Sequence, residues 1–549
     1  MTKKFDPRQF PFLLDDEAAT WVETVLKSMS QEQKLAQLIN VLIRTDDPEE
    51  LAQLQRLGLG SMARKVSGDA DLERKIRDDF HAQAPVPLLI TADLEGSRMS
   101  QPGGVVLPNP LGIAAVDDVT ATERATEILS MDGLANGINW TFTPLLDINK
   151  EFRSAIVGTR SFGSDLERIR RHMLTQIRTF QGKGVAATAK HWPGEGYDDR
   201  DQHLVTTINP LSVEEWEATF GSLYRDAIQS GVLSVMPGHI AFPAWVRKLG
   251  FEADAFTPAT INRHLTQTLL RDHLGFNGVI VSDATAMAGL NAFAKRKDFL
   301  PKIISAGCDI ILFSNDPQQD LRWLQEAIED GRLSLERVDE AVSRILSLKA
   351  RVGLHNGIPA LPARDRAADE AFAKELHQRV PTLVKDTQNL LPISPEKHRR
   401  VLIISRGIVD PFQPNPMPFQ LPEMMQEKGF EVSVYRAGEE VDPSAYDLLL
   451  YLFGEETLLT RNHIFIDWLK LMGGFRFSMQ RFWHEVPTAM ISFGYPYHLY
   501  DAPRVPTYIN AYSTTEQMQS AVLNALLGET PWQGTSPVDP FCRLEDAKL

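Results

Sequence analysis

The sequence predicts a TIM-type (β/α)8 barrel followed by a smaller α/β sandwich domain. Over the first 350 residues, short β-branched apolar runs alternate with amphipathic stretches, and each run ends on polar or glycine residues. A Pro-, Gly- and Ala-rich stretch then precedes a second set of apolar runs. The length of 549 residues also exceeds what one ordinary compact domain holds. An open doubly wound sheet is the other α/β arrangement that the first region admits.

The candidate barrel strands are 39 to 44, 59 to 65, 87 to 93, 139 to 148, 185 to 192, 232 to 240, 278 to 284 and 308 to 313, a count of eight. Between them, 166 to 184 and 257 to 276 carry apolar residues three or four apart, as crossover helices do. Thr257 before Pro258 reads as a cap with a first-turn proline, and Gly275 as the closing residue. One long helix is expected over 320 to 354. Residues 1–355 are read as the barrel domain, 356–380 as a linker and 381–549 as the second domain, with strands at 401 to 405, 430 to 437, 447 to 454 and 488 to 494. The first of these strands runs into SRGIVDPFQPNP, which lacks the spacing of a dinucleotide-binding loop.

Bulk properties remove several classes of function. A net charge of -15 argues against nucleic acid as a partner, because phosphate binding needs clustered Lys and Arg. Two cysteines, Cys308 and Cys542, are too few for a disulfide framework or a cysteine zinc site and suit a reducing compartment. No His and carboxylate set has zinc spacing, so neither a metal nor a redox cofactor is expected. No stretch reaches the roughly 18 apolar residues of a membrane helix, and the amino terminus carries no unbroken apolar segment. A cytoplasmic protein with no membrane partner is the expectation.

In an α/β barrel the chemistry sits where strands end. Asp93 and Glu95 end one run, Lys190 and His191 another, His239 a third and Asp283 a fourth. Singly, each has a bland reading, since an Asp after a strand is more often a cap or turn residue than a nucleophile. Gathered at one mouth, they can hold a polyhydroxylated substrate and supply an acid and a nucleophile. The segment KHWPGEGYDDRDQHL, 190 to 204, predicts a mobile loop from its two glycines, and Asp201-x-His203 can set a carboxylate against an imidazole. On spacing alone, 198 to 201 serves equally well as a solvated charge run, with His203 as a cap.

TADLEGSR (91 to 98), VGTRSFGSD (157 to 165), AKHWPGEG with DQH (189 to 196 and 201 to 203) and GFNGVIVSDATAM (275 to 287) together resemble glycoside hydrolase family 3, in its β-N-acetylglucosaminidase branch. The motifs span most of the first domain; in the second, the likeness is limited to the linking helix and the LLP beginning at Leu390. The resemblance implies that Asp283 attacks the anomeric carbon, that His203 is the acid/base with Asp201 as its partner, and that Asp93, Arg160, Lys190 and His191 bind the sugar. Two positions depart from the family pattern: Glu195 stands where it usually has His, and Gln101 where a second Arg is usual.

The implied activity is retaining hydrolysis of terminal β-linked N-acetylglucosamine, with peptidoglycan fragments or chitooligosaccharides as substrates. An imidazole acid/base adds no negative charge on giving up its proton, so an anionic acceptor is repelled less than by a carboxylate. A phosphorylase therefore stands as a second reading. A sugar-binding relative without turnover is the third.

Overall fold

A computed structural model describes residues 5–64, 69–361 and 363–549. Residues 1–4 and 362, and Lys65 at the end of the second expected strand, lie outside the described residues. The barrel strands are β1 (Ile39–Ile43), β2 (Ser61–Arg64), β3 (Leu89–Ala92), β4 (Trp140–Thr141), β5 (Thr188–Trp192), β6 (Ser234–Pro237), β7 (Val279–Ala284) and β8 (Ile310–Ser314). Each expected run supplies one of them. They pair in parallel in the order β4-β3-β2-β1-β8-β7-β6-β5. A parallel bridge between Trp140 and Ala186 joins β4 to the chain entering β5 and nearly closes the ring. The doubly wound alternative is thereby excluded.

The interior is packed, as a barrel of eight strands requires. Trp140 points its Nε1 inward, donating to Thr188 Oγ1 and Ser234 Oγ at 2.9 Å each. A small hydroxyl layer thus accommodates one large indole. With the inside filled, ligands are left the carboxyl-terminal mouth.

Three helical expectations are revised. Residues 320 to 354 form two helices, Pro317–Glu329 and Leu335–Arg351, because Ser334 caps the second by accepting from Arg337 N. In 257 to 276, Thr257 does not cap a regular helix. A 3-10 turn at Ala259–Ile261 comes first, then a wide π-type helix, His264–His273. Asn262 Oδ1 accepts from His264 N and so initiates it. Within the stretch read as a linker, Arg366–Arg379 is a helix capped by Asp365, and its Ala373 and Leu376 pack on the barrel core.

The second domain is a six-stranded sheet: β9 (Thr382–Asp386), β10 (Arg400–Val409), β11 (Glu431–Val434), β12 (Leu448–Glu455), β13 (Thr488–Ser492) and β14 (Thr507–Asn510), in the order β9-β14-β13-β12-β10-β11. Only β9 is antiparallel. The period-2 geometry of a strand shows in β12, whose Leu448, Leu450 and Leu452 enter one apolar cluster while Leu449, Tyr451 and Phe453 enter the other. The first of these clusters also takes in Leu111, Ala115 and Ala155 of the barrel domain, so the two domains share a core.

Candidate active site

A chain of charges crosses the mouth above β3 and β5. Lys190 Nζ donates to Asp93 Oδ1 at 2.6 Å and lies 3.0 Å from Glu95 Oε1. Arg160 grips the same Glu95 bidentately, Nε to Oε2 and Nη2 to Oε1, both at 2.9 Å. Burial would raise the Glu95 carboxyl, but the adjoining Arg160 and Lys190 charges hold it well below its ordinary value, and Glu95 in turn raises Arg160. Asp93 stays about one-third exposed and faces the opening.

Asp147, in the loop after β4, organises the next layer. Its Oδ1 accepts the amides of His191 (3.0 Å) and Glu195 (3.1 Å), and its Oδ2 takes the Nδ1 proton of His191 at 2.7 Å. This leaves His191 Nε2 facing Asp283 Oδ2 at 3.9 Å. Burial pushes the Asp283 carboxyl upward, yet His191, His239 and His203, with the Ala284 amide donating at 2.7 Å, leave it below its ordinary value. Asp283 is an anion held among imidazoles.

The loop after β5 is not the mobile segment that its glycines suggested. Residues 191 to 196 are buried. A Cβ on Gly196, whose φ is +118°, would sit 1.9 Å from Ile148 O. Here glycine permits close approach rather than motion. Further on, the exposed Arg200 pairs with Asp198, whose side chain is largely buried and also accepts from Ile208 N. Asp201, however, is fully buried and accepts both the amide and Nδ1 of His203 at 2.8 Å. With Nδ1 so held, His203 Nε2 is the nitrogen free to exchange a proton.

Glu195 is the outlier. Gln202 Nε2 donates to its Oε2 at 3.0 Å, while its buried Oε1 has no hydrogen-bond partner among the described residues. Burial, reinforced by the charges of Asp147, Asp201 and Asp283, pushes it well above the ordinary carboxylate range. Those surroundings favour the neutral form of its carboxyl. The ligand atoms of Asp147, His191 and Glu195 lie within 4.8 Å of one another, near enough for a cation. Asp147 Oδ2 and His191 Nδ1 are, however, hydrogen-bonded to each other at 2.7 Å.

All seven sequence-derived residues therefore meet at one mouth: Asp93, Lys190, Arg160, His191 and Asp283 through the two charge chains, and Asp201 with His203 through Gln202 and Glu195. Asp147 was missed, although it ends the apolar run 139 to 148. Contributions from the second domain were missed as well, and no local signal marks them. Thr460 N donates to Asp201 Oδ2 at 2.7 Å, and His463 Nε2 lies 3.2 Å from Asp199 Oδ2. Arg98, in the TADLEGSR motif, leans away to Asp410 (2.8 Å) and Thr514 (3.2 Å) of the second domain.

A parallel α/β barrel with a charged mouth and a covering second domain defines a class of barrel enzymes. Residues 30–348 match the family model described as the glycosyl hydrolase family 3 N terminal domain. The Beta-N-acetylglucosaminidase/beta-glucosidase of Cellulomonas fimi is 38% identical over 571 aligned residues, 98% of this chain and 99% of that one. A Beta-hexosaminidase of Pseudomonas aeruginosa is 32% identical over 50% of this chain and 80% of its own. Among solved structures, a Beta-glucoside phosphorylase BglX superposes with a TM-score of 0.90 at 31% identity, covering 98% of this chain and 99% of that one. A glycoside hydrolase family 3 beta-N-acetylglucosaminidase from Paenibacillus sp. str. FPU-7 gives 0.80 at 24% identity, covering 94% and 100%. The chain belongs to glycoside hydrolase family 3, alongside the β-N-acetylglucosaminidases of that family.

Proposed function

We propose that the protein is a retaining glycosidase releasing terminal β-linked N-acetylglucosamine, with Asp283 as nucleophile and His203, held by Asp201, as acid/base. The observation that carries this reading is the pairing of an anionic, amide-anchored carboxylate with an imidazole whose far nitrogen is fixed by a buried aspartate. In the first step an Asp283 oxygen bonds the anomeric carbon, the bond to the leaving oxygen breaks, and the His203 Nε2 proton passes to that oxygen. In the second, neutral His203 takes a proton from water, whose oxygen attacks the anomeric carbon and frees Asp283. The buried Asp201 carboxylate stabilises the imidazolium in both directions.

Asp93, Lys190, Arg160 and His191 are the sugar contacts. Asp93 and Lys190 have hydrogen-bonding capacity beyond their mutual bond, and Arg160 keeps Glu95 in place behind them. A panel of aryl β-glycosides differing at the 2-position tests the reading. The N-acetylglucosaminide should be cleaved fastest, and Asp283→Ala should abolish the release. A preference for the unsubstituted glucoside, or full activity of the variant, would overturn it.

A second reading draws on the proposed acid/base being an imidazole, which carries no negative charge in its base form to repel an anionic acceptor. The similarity to a structure described as a β-glucoside phosphorylase supports it. In that case phosphate replaces water in the second step and sugar 1-phosphate leaves. Reactions run in phosphate and in a non-nucleophilic buffer separate the two by product.

A further inference from the structure

The loop that carries Asp201 and His203 is joined directly to the loop that follows Asp283, although the two are far apart in the chain. Ala288 N donates to His203 O at 2.9 Å, and Thr206 Oγ1 donates to Gly289 O at 2.7 Å. The backbones approach so closely that a Cβ on Gly289 would sit 2.3 Å from Gln202 O. Gln202, the residue between the two members of the dyad, is at the centre of this contact.

Gln202 is buried, and both ends of its amide are used. Its Oε1 accepts from His239 N at 2.8 Å, which fixes the orientation of the amide and turns Nε2 toward Glu195 Oε2 at 3.0 Å. A carboxyl oxygen accepts whether or not its partner oxygen carries a proton, so Glu195 holds this bond in either state. His239 is itself buried, donates from Nε2 to Ala284 O at 3.0 Å and meets Thr260 Oγ1 with Nδ1 at 2.9 Å. The Ala284 amide in turn donates to Asp283 Oδ1 at 2.7 Å. One side chain thus ties the dyad loop to the ends of β5 and β6 and, through His239, to β7. An acid that must meet a departing oxygen within hydrogen-bond reach depends on such placement.

We infer that Gln202, held between Glu195 and His239, is a positioning residue that sets where His203 stands relative to Asp283. The inference rests on the reaction proposed above, with His203 as the acid. Gln202→Met keeps the bulk and removes both hydrogen bonds. Across a series of aryl N-acetylglucosaminides, its kcat should fall about tenfold for the most basic leaving group and less than about twofold for the dinitrophenyl glycoside. Calorimetric affinity for N-acetylglucosamine should stay within about twofold of the wild type. A uniform loss across the series, or an equal loss of sugar affinity, would mark a merely structural role and overturn the inference. Glu195→Ala should show the same leaving-group dependence, and it carries the comparison should Gln202→Met not fold. The double variant should lose no more than the worse single one, because the two side chains act through one bond; losses that multiply would also overturn it. Amide hydrogen exchange reads the tie without turnover. Leu204 and Val205, whose amides donate to Asp201 O, should exchange about tenfold faster in either variant, and unchanged exchange refutes the assignment. A wild type inactive on the whole series would count against the reaction alone, since exchange still judges the tie.

Discussion

Each domain contains a carboxylate facing an imidazole, and the two pairs behave in opposite ways. In the barrel, Asp201 accepts from His203 Nδ1 at 2.8 Å and from the amides of His203 and Thr460. In the second domain, Glu455 and His498 stand 3.9 Å apart at the end of β12. There Glu455 Oε2 and both ring nitrogens of His498 lack hydrogen-bond partners among the described residues. Burial pushes Glu455 up to about 7 and His498 down to about 3. One carboxylate is surrounded by donors, and the other pair is buried without them. What separates them is the number of donors converging on the carboxylate, since burial without donors favours the neutral forms. Glu195 shows the same rule inside the barrel mouth, a few ångströms from residues that keep their charge.

The comparison is broken most severely at the proposed nucleophile. Asp283→Asn keeps the shape and removes the anion, and turnover of an aryl N-acetylglucosaminide should fall by at least about 10⁴-fold in steady-state assays. Next comes the donor-rich pair itself. His203→Ala should cost between about 10²- and 10⁴-fold on chitobiose and far less on a nitrophenyl glycoside, whose leaving group needs little protonation. Equal losses on both substrates would remove His203 from the acid role.

The tie from the second domain should matter less. Asp199→Ala or His463→Ala removes one half-exposed hydrogen bond from the dyad loop, and chitobiose turnover should drop by up to about tenfold. A leaving-group dependence steeper than the wild type's would accompany the drop if the dyad has shifted.

The smallest effect sharpens the neutral pair. Glu455 is raised from 4.5 to about 7, so its contribution to stability is present below the ordinary carboxyl range and is lost as pH rises toward about 7. His498 is lowered from 6.5 to about 3, so its contribution is present above 6.5 and is lost as pH falls toward about 3. Between 4.5 and 6.5 the two slopes oppose each other. Denaturation midpoints across that window should therefore climb with pH in Glu455→Gln, which leaves only the histidine. They should fall with pH in His498→Phe, and change less in the wild type than in either variant. Parallel profiles in all three proteins would show that the pair is not driven neutral.

The barrel was legible because its determinants are local. Apolar runs of strand length, such as 278 to 284, alternate with helical stretches such as 166 to 184, and polar residues end the runs. Asp93, Lys190, His191 and Asp283 could be found by that rule alone, and Asp147 should have been. The second domain was less legible on one side of its sheet: β9 and β14 were not anticipated, and β9 owes its place to pairing with a strand more than a hundred residues away. The break at Ser334 and the π-type helix after Asn262 turned on side-chain hydrogen bonds that apolar periodicity does not encode.

By itself, the sequence determined the α/β alternation, the residues at the strand ends and the resemblance to a glycosidase family, because each is written in short-range pattern. Only the tertiary structure decided which carboxyl groups keep their charge. That depends on donors arriving from distant segments: Arg160 brings them to Glu95, while Glu195 and Glu455 are buried with too few. A carboxylate's state is set by the sum of what surrounds it, and no stretch of chain carries that sum.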